Sequence, residues 1–275
     1  MIYLYYLFKY KKVNEVKKII LGILITAIPA MNTFAECTYN FDANQTQLNA
    51  VSSGSLPFPT ISGQKVSLTI SPTTGSKRYV AASGNFGNKQ ISQPGKMIGD
   101  VTLSQSNIIA YEMIVKVPNV VLSNNSIIGL FPFTFFGTKD DKHVLSNSIM
   151  SLNNISEVPN QILSAWQSRD LSNSALIGEN TIDNNVLNNG ARLGFYINQQ
   201  TQQIGVISNG TNYGYVGSYS TKPNEGYFLA QIAVQDVPSN SAMVGKTFSL
   251  ELVTDRTKLQ NTYPTGAKDI CGNTI

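Results

Sequence analysis

The chain contains few of the side chains on which enzymes rely for catalysis. Its 275 residues include one histidine, two cysteines and one tryptophan, and only 13% of them carry a charge. A histidine-activated nucleophile would have to use His143, which ends the polar run KDDKH at residues 139–143. We interpret this run as a solvated turn, so the sequence argues against nucleophilic hydrolysis.

Paired carboxylates are scarce as well. Glycoside hydrolysis needs two carboxyl groups at a set separation, and the best pair on one predicted strand face is Glu251 and Asp255. We interpret Glu251 as an exterior strand charge and Asp255 as a turn residue paired with Arg256. We therefore predict no catalytic residues and no enzymatic activity, with a polysaccharide-active enzyme as the alternative.

Ligand sets for metals and phosphates are incomplete. Calcium needs several oxygen ligands in close order, and neither Asp140-Asp141 nor Asp183-Asn184-Asn185 provides them. A closed zinc site needs four nitrogen or sulfur ligands, which is more than two cysteines and one histidine supply. The stretch Gly84-Asn85-Phe86-Gly87 matches no nucleotide motif. We predict neither a metal nor a cofactor.

The first 35 residues have the pattern of an export signal. Five lysines precede an apolar run at residues 19–28, and Thr33-Phe34-Ala35 places small residues at −3 and −1 of a cleavage site. The run is shorter than the about 20 residues that span a membrane. We predict a signal peptide over residues 1–35, a mature domain over 36–275 without a membrane span, and a periplasmic or extracellular destination. An uncleaved N-terminal anchor is the alternative.

The formal charge of +4 belongs to this export segment. Residues 1–35 hold five lysines and one glutamate, so 20 basic and 16 acidic residues become 15 of each in the mature chain. A neutral domain without a cluster of lysines and arginines lacks the positively charged surface that binds phosphate backbones and anionic lipids. We exclude nucleic acids as partners.

The two cysteines, Cys37 and Cys271, lie near opposite ends of the mature chain. Two cysteines in an exported protein favour a disulfide bond. The sequence therefore predicts that a Cys37–Cys271 disulfide links the two ends.

Apolar and polar residues alternate with period two along much of the chain. In Ile109–Val117 the odd-numbered residues are apolar, whereas Glu112 and Lys116 fall on the other face. Further strands are predicted at Lys65–Ile70, Tyr79–Ala82, Met97–Leu103, Ser126–Phe136, Tyr227–Val234 and Thr247–Val253. This pattern predicts an all-β protein with a single antiparallel β-sandwich.

The stretch ARLGFYINQQTQQIGVISNGTNYGYVG, residues 191–217, predicts a three-stranded meander. A polar turn over residues 198–203 separates the first two strands, and Asn209-Gly210 favours a type I′ turn before the third.

Together with YEMIVKV and SIIGLF, this meander resembles the central strands of SPRY-like and other concanavalin-like jelly-roll domains. The resemblance covers residues 109–234 and implies a jelly-roll sandwich. The chain departs from the pattern at Val206-Ile207, where an aromatic strand is usual, and in a long insertion over 145–190. The whole chain also resembles an uncharacterised family of exported bacterial proteins, a domain of unknown function.

The insertion carries a helical pattern. Val158, Ile162, Ala165 and Trp166 share one face of a helix, and Ser156 is a suitable N-cap. We predict one short helix there, on a long excursion of the kind that often carries function.

Aromatic and amide side chains follow the Asn-Gly turn. Tyrosine and tryptophan combine a flat apolar face with a hydrogen-bonding edge, and asparagine both donates and accepts. The predicted binding residues are Trp166, Asn212, Tyr213, Tyr215 and Tyr219. The alternative is that the two neighbouring tyrosines only pack a sheet face and that the tryptophan anchors the helix.

These observations predict a non-catalytic exported binding protein, adhesin- or lectin-like, which recognises a glycan or an envelope or extracellular protein. A structural component of the cell envelope is a further alternative, since it would need neither catalytic nor binding residues.

Overall fold

The computed structural model describes residues 37–122 and 126–275. The predicted signal peptide lies outside this part of the chain and stays a prediction. The helices in these residues are α1 (Gln45–Val51), α2 (Gly84–Ser92) and α3 (Asn184–Asn189). None of the helices found there is long and apolar enough to cross a membrane.

Strands form most of the regular structure. In chain order they are β1 (Leu56–Pro57), β2 (Thr60–Ser62), β3 (Lys65–Thr69), β4 (Thr73–Ala81), β5 (Val101–Thr102), β6 (Ile108–Lys116), β7 (Ile127–Lys139), β8 (Lys142–Ile155), β9 (Val158–Asp170), β10 (Ala175–Thr181), β11 (Ala191–Asn198), β12 (Gln203–Ser208), β13 (Thr211–Ser218), β14 (Glu225–Val237), β15 (Thr247–Val253) and β16 (Ala267–Lys268).

The strands form two sheets that pack face to face. The first sheet has the order β1-β4-β14-β7-β8-β9-β10, with β5 beside β14. The second has the order β13-β12-β11-β6-β15-β3-β2, with β16 beside β6. Most neighbours are antiparallel, and sequence-distant strands such as β14 and β7 lie side by side. The predicted all-β jelly-roll sandwich is confirmed.

The core lies between the inner faces of the two sheets. Tyr111 of the second sheet packs against Phe135 and Phe228 of the first, with ring centroids 5.4 and 5.0 Å apart. Phe195 lies 5.7 Å from the same tyrosine. The period-two pattern predicted for β6 is confirmed, since its odd-numbered residues point into this core.

The 145–190 insertion is mostly strand. The predicted helix over residues 158–166 is wrong, because this stretch is part of β9 and pairs with β8, with Trp166 opposite Ile149. The spacing of positions 158, 162 and 166 fits both a helix and one face of a strand. Pairing along the sheet decided between the two. The short helix in the insertion is α3, further along the chain.

One predicted strand is much shorter than expected. Only Val101–Thr102 of the predicted strand Met97–Leu103 pairs in a sheet, as β5. Its N-terminal part bonds to side chains instead, since the Gly99 amide donates to the Thr138 hydroxyl.

Helices α1 and α2 cover part of the outer face of the first sheet. Each begins at a capping residue, Asn44 and Ser83 respectively, whose side chain accepts from a backbone amide of the first turn. Phe86 of α2 stacks on Tyr227 of β14, with the ring centroids 3.9 Å apart.

The disulfide prediction is confirmed. Cys37 and Cys271 are bonded, and their Cα atoms are 5.8 Å apart. The bond joins the segment before α1 to the last turn of the chain.

Candidate functional site

The predicted binding residues divide into buried and exposed groups. Trp166 and Tyr219 are 2% and 3% exposed, so neither side chain offers a surface to a ligand. Tyr213 and Tyr215 are 45% and 39% exposed, and Asn212 is exposed beside them. We call the exposed group Asn212, Tyr213 and Tyr215 the tyrosine edge, because β13 is the edge strand of the second sheet.

Trp166 supports the tyrosine edge from inside the sandwich. It lies on β9 rather than on a helix, and its ring centroid is 6.1 Å from that of Tyr213. The Asn180 amide donates a long hydrogen bond of 3.5 Å to the Tyr213 hydroxyl. Gly178 leaves room between the sheets, since a Cβ there would approach Val216 to 3.0 Å.

Tyr219 holds the turn at the far end of the same strand. Its hydroxyl lies 3.1 Å from the Asn198 carbonyl oxygen and 2.9 Å from Gln199 Oε1. The Asn198 side chain in turn donates to the Tyr215 hydroxyl over 3.0 Å. Tyr219 therefore holds Asn198 in place, and Asn198 in turn holds the Tyr215 hydroxyl.

Tyr215 lies on the outer face of the second sheet. Its ring packs edge-on against Tyr196, with the centroids 5.3 Å apart at 64°. Tyr196 lies across the backbone of β12 at Gly205, where a Cβ would be only 1.8 Å from the tyrosine Cζ. The Tyr196 hydroxyl donates to Asn212 Oδ1 over 3.3 Å. Tyr196 and Asn198, both of β11, therefore hold the exposed ring across β12.

The two exposed tyrosines contact different parts of the molecule. Residues two apart on a regular strand share a face, but Gly214 between them has a φ of +70°, and the pairing with β12 is irregular here. Tyr213 faces the gap between the sheets, whereas Tyr215 packs on the outer face. The tyrosine edge thus presents two aromatic surfaces.

A second candidate site is a cavity of about 630 Å³ at one end of the sandwich. It lies where the segment before α1, the start of α2, the segment before β6 and the C-terminal turn meet. Its polar lining consists of Thr38, Tyr39, Asn40, Asp42, Ser83, Asn85, Asp100, Thr102, Ser104, Asn107, Lys268 and Asp269. We call it the aspartate cavity. Sequence analysis missed it because no single segment carries a motif for it.

Asp100 is the central carboxylate of this cavity. The Tyr39 hydroxyl donates to Oδ1 over 3.1 Å, and the Ser83 hydroxyl donates to Oδ2. Burial raises the pKa of the Asp100 carboxyl, although both hydroxyl donors oppose the shift. Burial also raises the pKa of Tyr39, with the nearby carboxylate as a further cause.

Two further titratable residues have structural partners. His143 is not in a solvated turn as the sequence suggested: it is half-buried on β8, its Nε2 lies 2.6 Å from the Tyr227 hydroxyl, and burial lowers its pKa. Glu112 is fully buried, where Arg192 and the amides of Gln260 and Asn261 bond its carboxylate. Glu112 is therefore closed to solvent, whereas His143 lines a small surface pocket.

Within the described residues, one group of potential metal ligands lies close together: Cys37, Asp269 and Cys271. Its two sulfur atoms are bonded to each other, so only one carboxylate remains. This group is too small to hold a metal ion.

The fold defines a jelly-roll β-sandwich protein, as the resemblance of the meander implied. The chain belongs to the family described as Domain of unknown function (DUF4882), whose model matches residues 17–273. No curated protein matches the chain.

Several solved structures are similar at low identity. The PL7 alginate lyase AlyA1 from Zobellia galactanivorans is 10% identical, with 64% of this chain and 75% of that chain covered and a TM-score of 0.36. The polysaccharide lyase family 18 protein aly-SJ02 r-CATD is 12% identical, with 72% of this chain and 88% of that chain covered and a TM-score of 0.35. LamAcat from Zobellia galactanivorans is 12% identical, with 53% of this chain and 62% of that chain covered and a TM-score of 0.31. The chain therefore spans less than two thirds of that protein. These likenesses carry no inference about a ligand or an activity.

Proposed function

We propose that the protein is an exported, non-catalytic binding protein that recognises a glycan through the tyrosine edge. The observation that carries the proposal is the exposed ring of Tyr215, which Tyr196 and Asn198 hold in one place. A flat apolar ring with a hydroxyl at its rim suits the mixed apolar and polar faces of a sugar. Asn212 beside it adds an amide that can donate and accept.

Pre-organisation favours this role for Tyr215. A side chain that is already ordered loses little conformational entropy when a ligand binds. Tyr215 is 39% exposed and yet has a partner for its ring, Tyr196, and one for its hydroxyl, Asn198. A tyrosine that only completed the packing of the sheet would not need to leave so much of its ring in contact with water.

The chemistry of the tyrosine edge supports binding rather than catalysis. Glycoside hydrolysis requires two carboxyl groups at the scissile bond, and Asn212, Tyr213 and Tyr215 include none. The proposal of export rests on the pattern of residues 1–35. N-terminal sequencing of the exported protein should begin at Glu36.

A glycan array followed by titration of the tightest glycan tests the proposed site. Tyr215→Ala should weaken binding about tenfold or more, because burial of a large side chain contributes about 1.5–3 kcal/mol. Tyr215→Phe should retain most of the affinity, since it keeps the ring. Circular dichroism should show that both variants are folded.

Ile61→Ala is a matched control for loss of exposed apolar surface. Ile61 is 37% exposed on β2, at the opposite edge of the same sheet, so the variant should leave glycan affinity unchanged. Equal affinity in the wild type and Tyr215→Ala would remove the tyrosine edge from the site. Turnover of the glycan would replace the proposal with an enzyme, and absence of any glycan ligand would favour a structural envelope role.

A further inference from the structure

The aspartate cavity has more acidic than basic side chains around it. Asp42, Asp100 and Asp269 line it, with Lys268 as the basic residue of the lining. Within residues 37–122 and 126–275, no lysine or arginine forms an ion pair with Asp42, Asp100 or Asp269. Lys89, whose ammonium group donates to the Gly99 carbonyl, also acts on Asp100 and lowers its pKa. Three carboxylates against two ammonium groups leave the cavity with a negative balance, which favours cations over anions.

The three carboxylates differ in how much bonding capacity remains. Asp269 is 1% exposed, and the Cys271 amide and the amide and side chain of Asn273 already bond to it over 2.9–3.0 Å. It contributes charge to the cavity rather than a contact. Asp42 is exposed at the rim and accepts from the Gly84 amide over 2.7 Å.

Asp100 lines the cavity and keeps part of its acceptor capacity. Each of its oxygens accepts one hydroxyl hydrogen bond, from Tyr39 and Ser83, whereas an ionised carboxylate has about four acceptor sites. The two hydroxyls fix the orientation of the carboxylate without neutralising it. An ammonium group is the ligand partner that such a carboxylate favours.

The rest of the polar lining is neutral and can both donate and accept. Amides come from Asn40, Asn85 and Asn107, and hydroxyls from Thr102 and Ser104. A ligand with several hydroxyl groups needs this mixture, because each hydroxyl is both donor and acceptor. Asn40 and Asn85 are exposed, so the cavity opens to solvent between them.

We propose that the aspartate cavity binds a small, hydroxyl-rich ligand that carries a positive charge, of the amino-sugar class. The ammonium group pairs with Asp100, and the hydroxyl groups bond to the asparagine side chains of the wall. The volume of about 630 Å³ lies within the range of roughly 300–1,000 Å³ that small-molecule sites occupy. The cavity shares no residue with the tyrosine edge, so this proposal does not rest on the proposed function.

Calorimetric titration of the exported protein with three monosaccharides tests the proposal. Glucosamine, glucose and glucuronate share one ring and differ in charge. Glucosamine should bind with a dissociation constant of about 1 mM or tighter, about tenfold tighter than glucose, and glucuronate should bind most weakly. Asp100→Asn should bring the affinity for glucosamine down to that for glucose.

Two more variants keep the test decisive. Asn107→Trp fills the cavity from a lining position that is separate from the hydrogen bonds of Asp100 with Tyr39 and Ser83. It should abolish glucosamine binding even if Asp100→Asn fails to fold. Ile61→Ala, which removes exposed apolar surface outside the cavity, should leave glucosamine binding unchanged. Equal affinities for glucosamine and glucose, no binding of glucosamine, or binding that survives Asn107→Trp would each overturn the proposal.

Discussion

At the scale of single residues, burial shifts the pKa of two titratable side chains described above. Burial raises the pKa of Asp100 and lowers that of His143, because it disfavours the charged form of each. Burial also determines the roles of Trp166 and Tyr219, since each lies under the surface and supports an exposed neighbour. Aromatic side chains suit ligand binding by their chemistry, but those that the fold buries position their exposed neighbours instead.

The raised pKa of Asp100 predicts a pH-dependent contribution to stability. Above the ordinary value of 3.8, the unfolded state has lost this proton while the folded state still holds it. The Asp100 contribution to the free energy of unfolding must therefore fall as pH rises from about 4 through the raised pKa. Urea denaturation across this range should show the stability of the wild type falling relative to that of Asp100→Asn, because the other titrating groups are common to both proteins. Parallel curves for the two proteins would contradict the prediction.

At the level of secondary-structure elements, one side chain of the second sheet lies across the backbone of the neighbouring strand. Tyr196 of β11 reaches across β12 to contact Tyr215 of β13, and Gly205 makes the crossing possible. Only glycine leaves this space, because any Cβ would overlap the ring. The glycine is thus required for packing rather than for its backbone angles.

Gly205→Ala should destabilise the protein by about 1–3 kcal/mol, since overpacking displaces the ring, and it should also weaken glycan binding by moving Tyr215. Gly129→Ala is the matched control. Gly129 also lies in a strand, β7, but has no heavy atom within 4 Å of an added Cβ, so its free energy of unfolding should change little. Denaturation of both variants measures the difference, and similar losses would refute the role given to Gly205.

On the scale of the whole molecule, the disulfide bond closes a loop that contains almost all of residues 37–275. Cys37 and Cys271 are 234 residues apart. Closing so long a loop restricts the unfolded chain, and the chain-entropy model gives about 5 kcal/mol of stabilisation. The cross-link lies beside the aspartate cavity, which Cys271 also lines.

The double variant Cys37→Ser/Cys271→Ser should therefore unfold at lower urea concentration, with a free energy of unfolding lower by about 5 kcal/mol or somewhat less. Reduction of the wild type with dithiothreitol should produce the same shift, and reduction of the double variant should have no effect. A wild type whose midpoint is insensitive to reduction would show that the bond does not stabilise the fold.

The local periodicity of the sequence determined much of the sandwich. Alternation identified β3, β6, β14 and β15, because a strand with one face in the core repeats every two residues. A more continuous apolar run identified β7. The turn at Asn209-Gly210 was also readable, and both residues do have positive φ, at 48° and 82°. The pairing of two cysteines needed only their number and the predicted export.

Tertiary contacts decided what local pattern left open. The 158–166 stretch fits two periods, and only its pairing with β8 makes it a strand. Burial of Trp166 and Tyr219 depends on which strands face them across the sandwich, which no neighbour in the sequence specifies. The aspartate cavity joins residues from 38 to 272, so its carboxylates come together only when the segments near residues 38 and 272 meet in the folded domain.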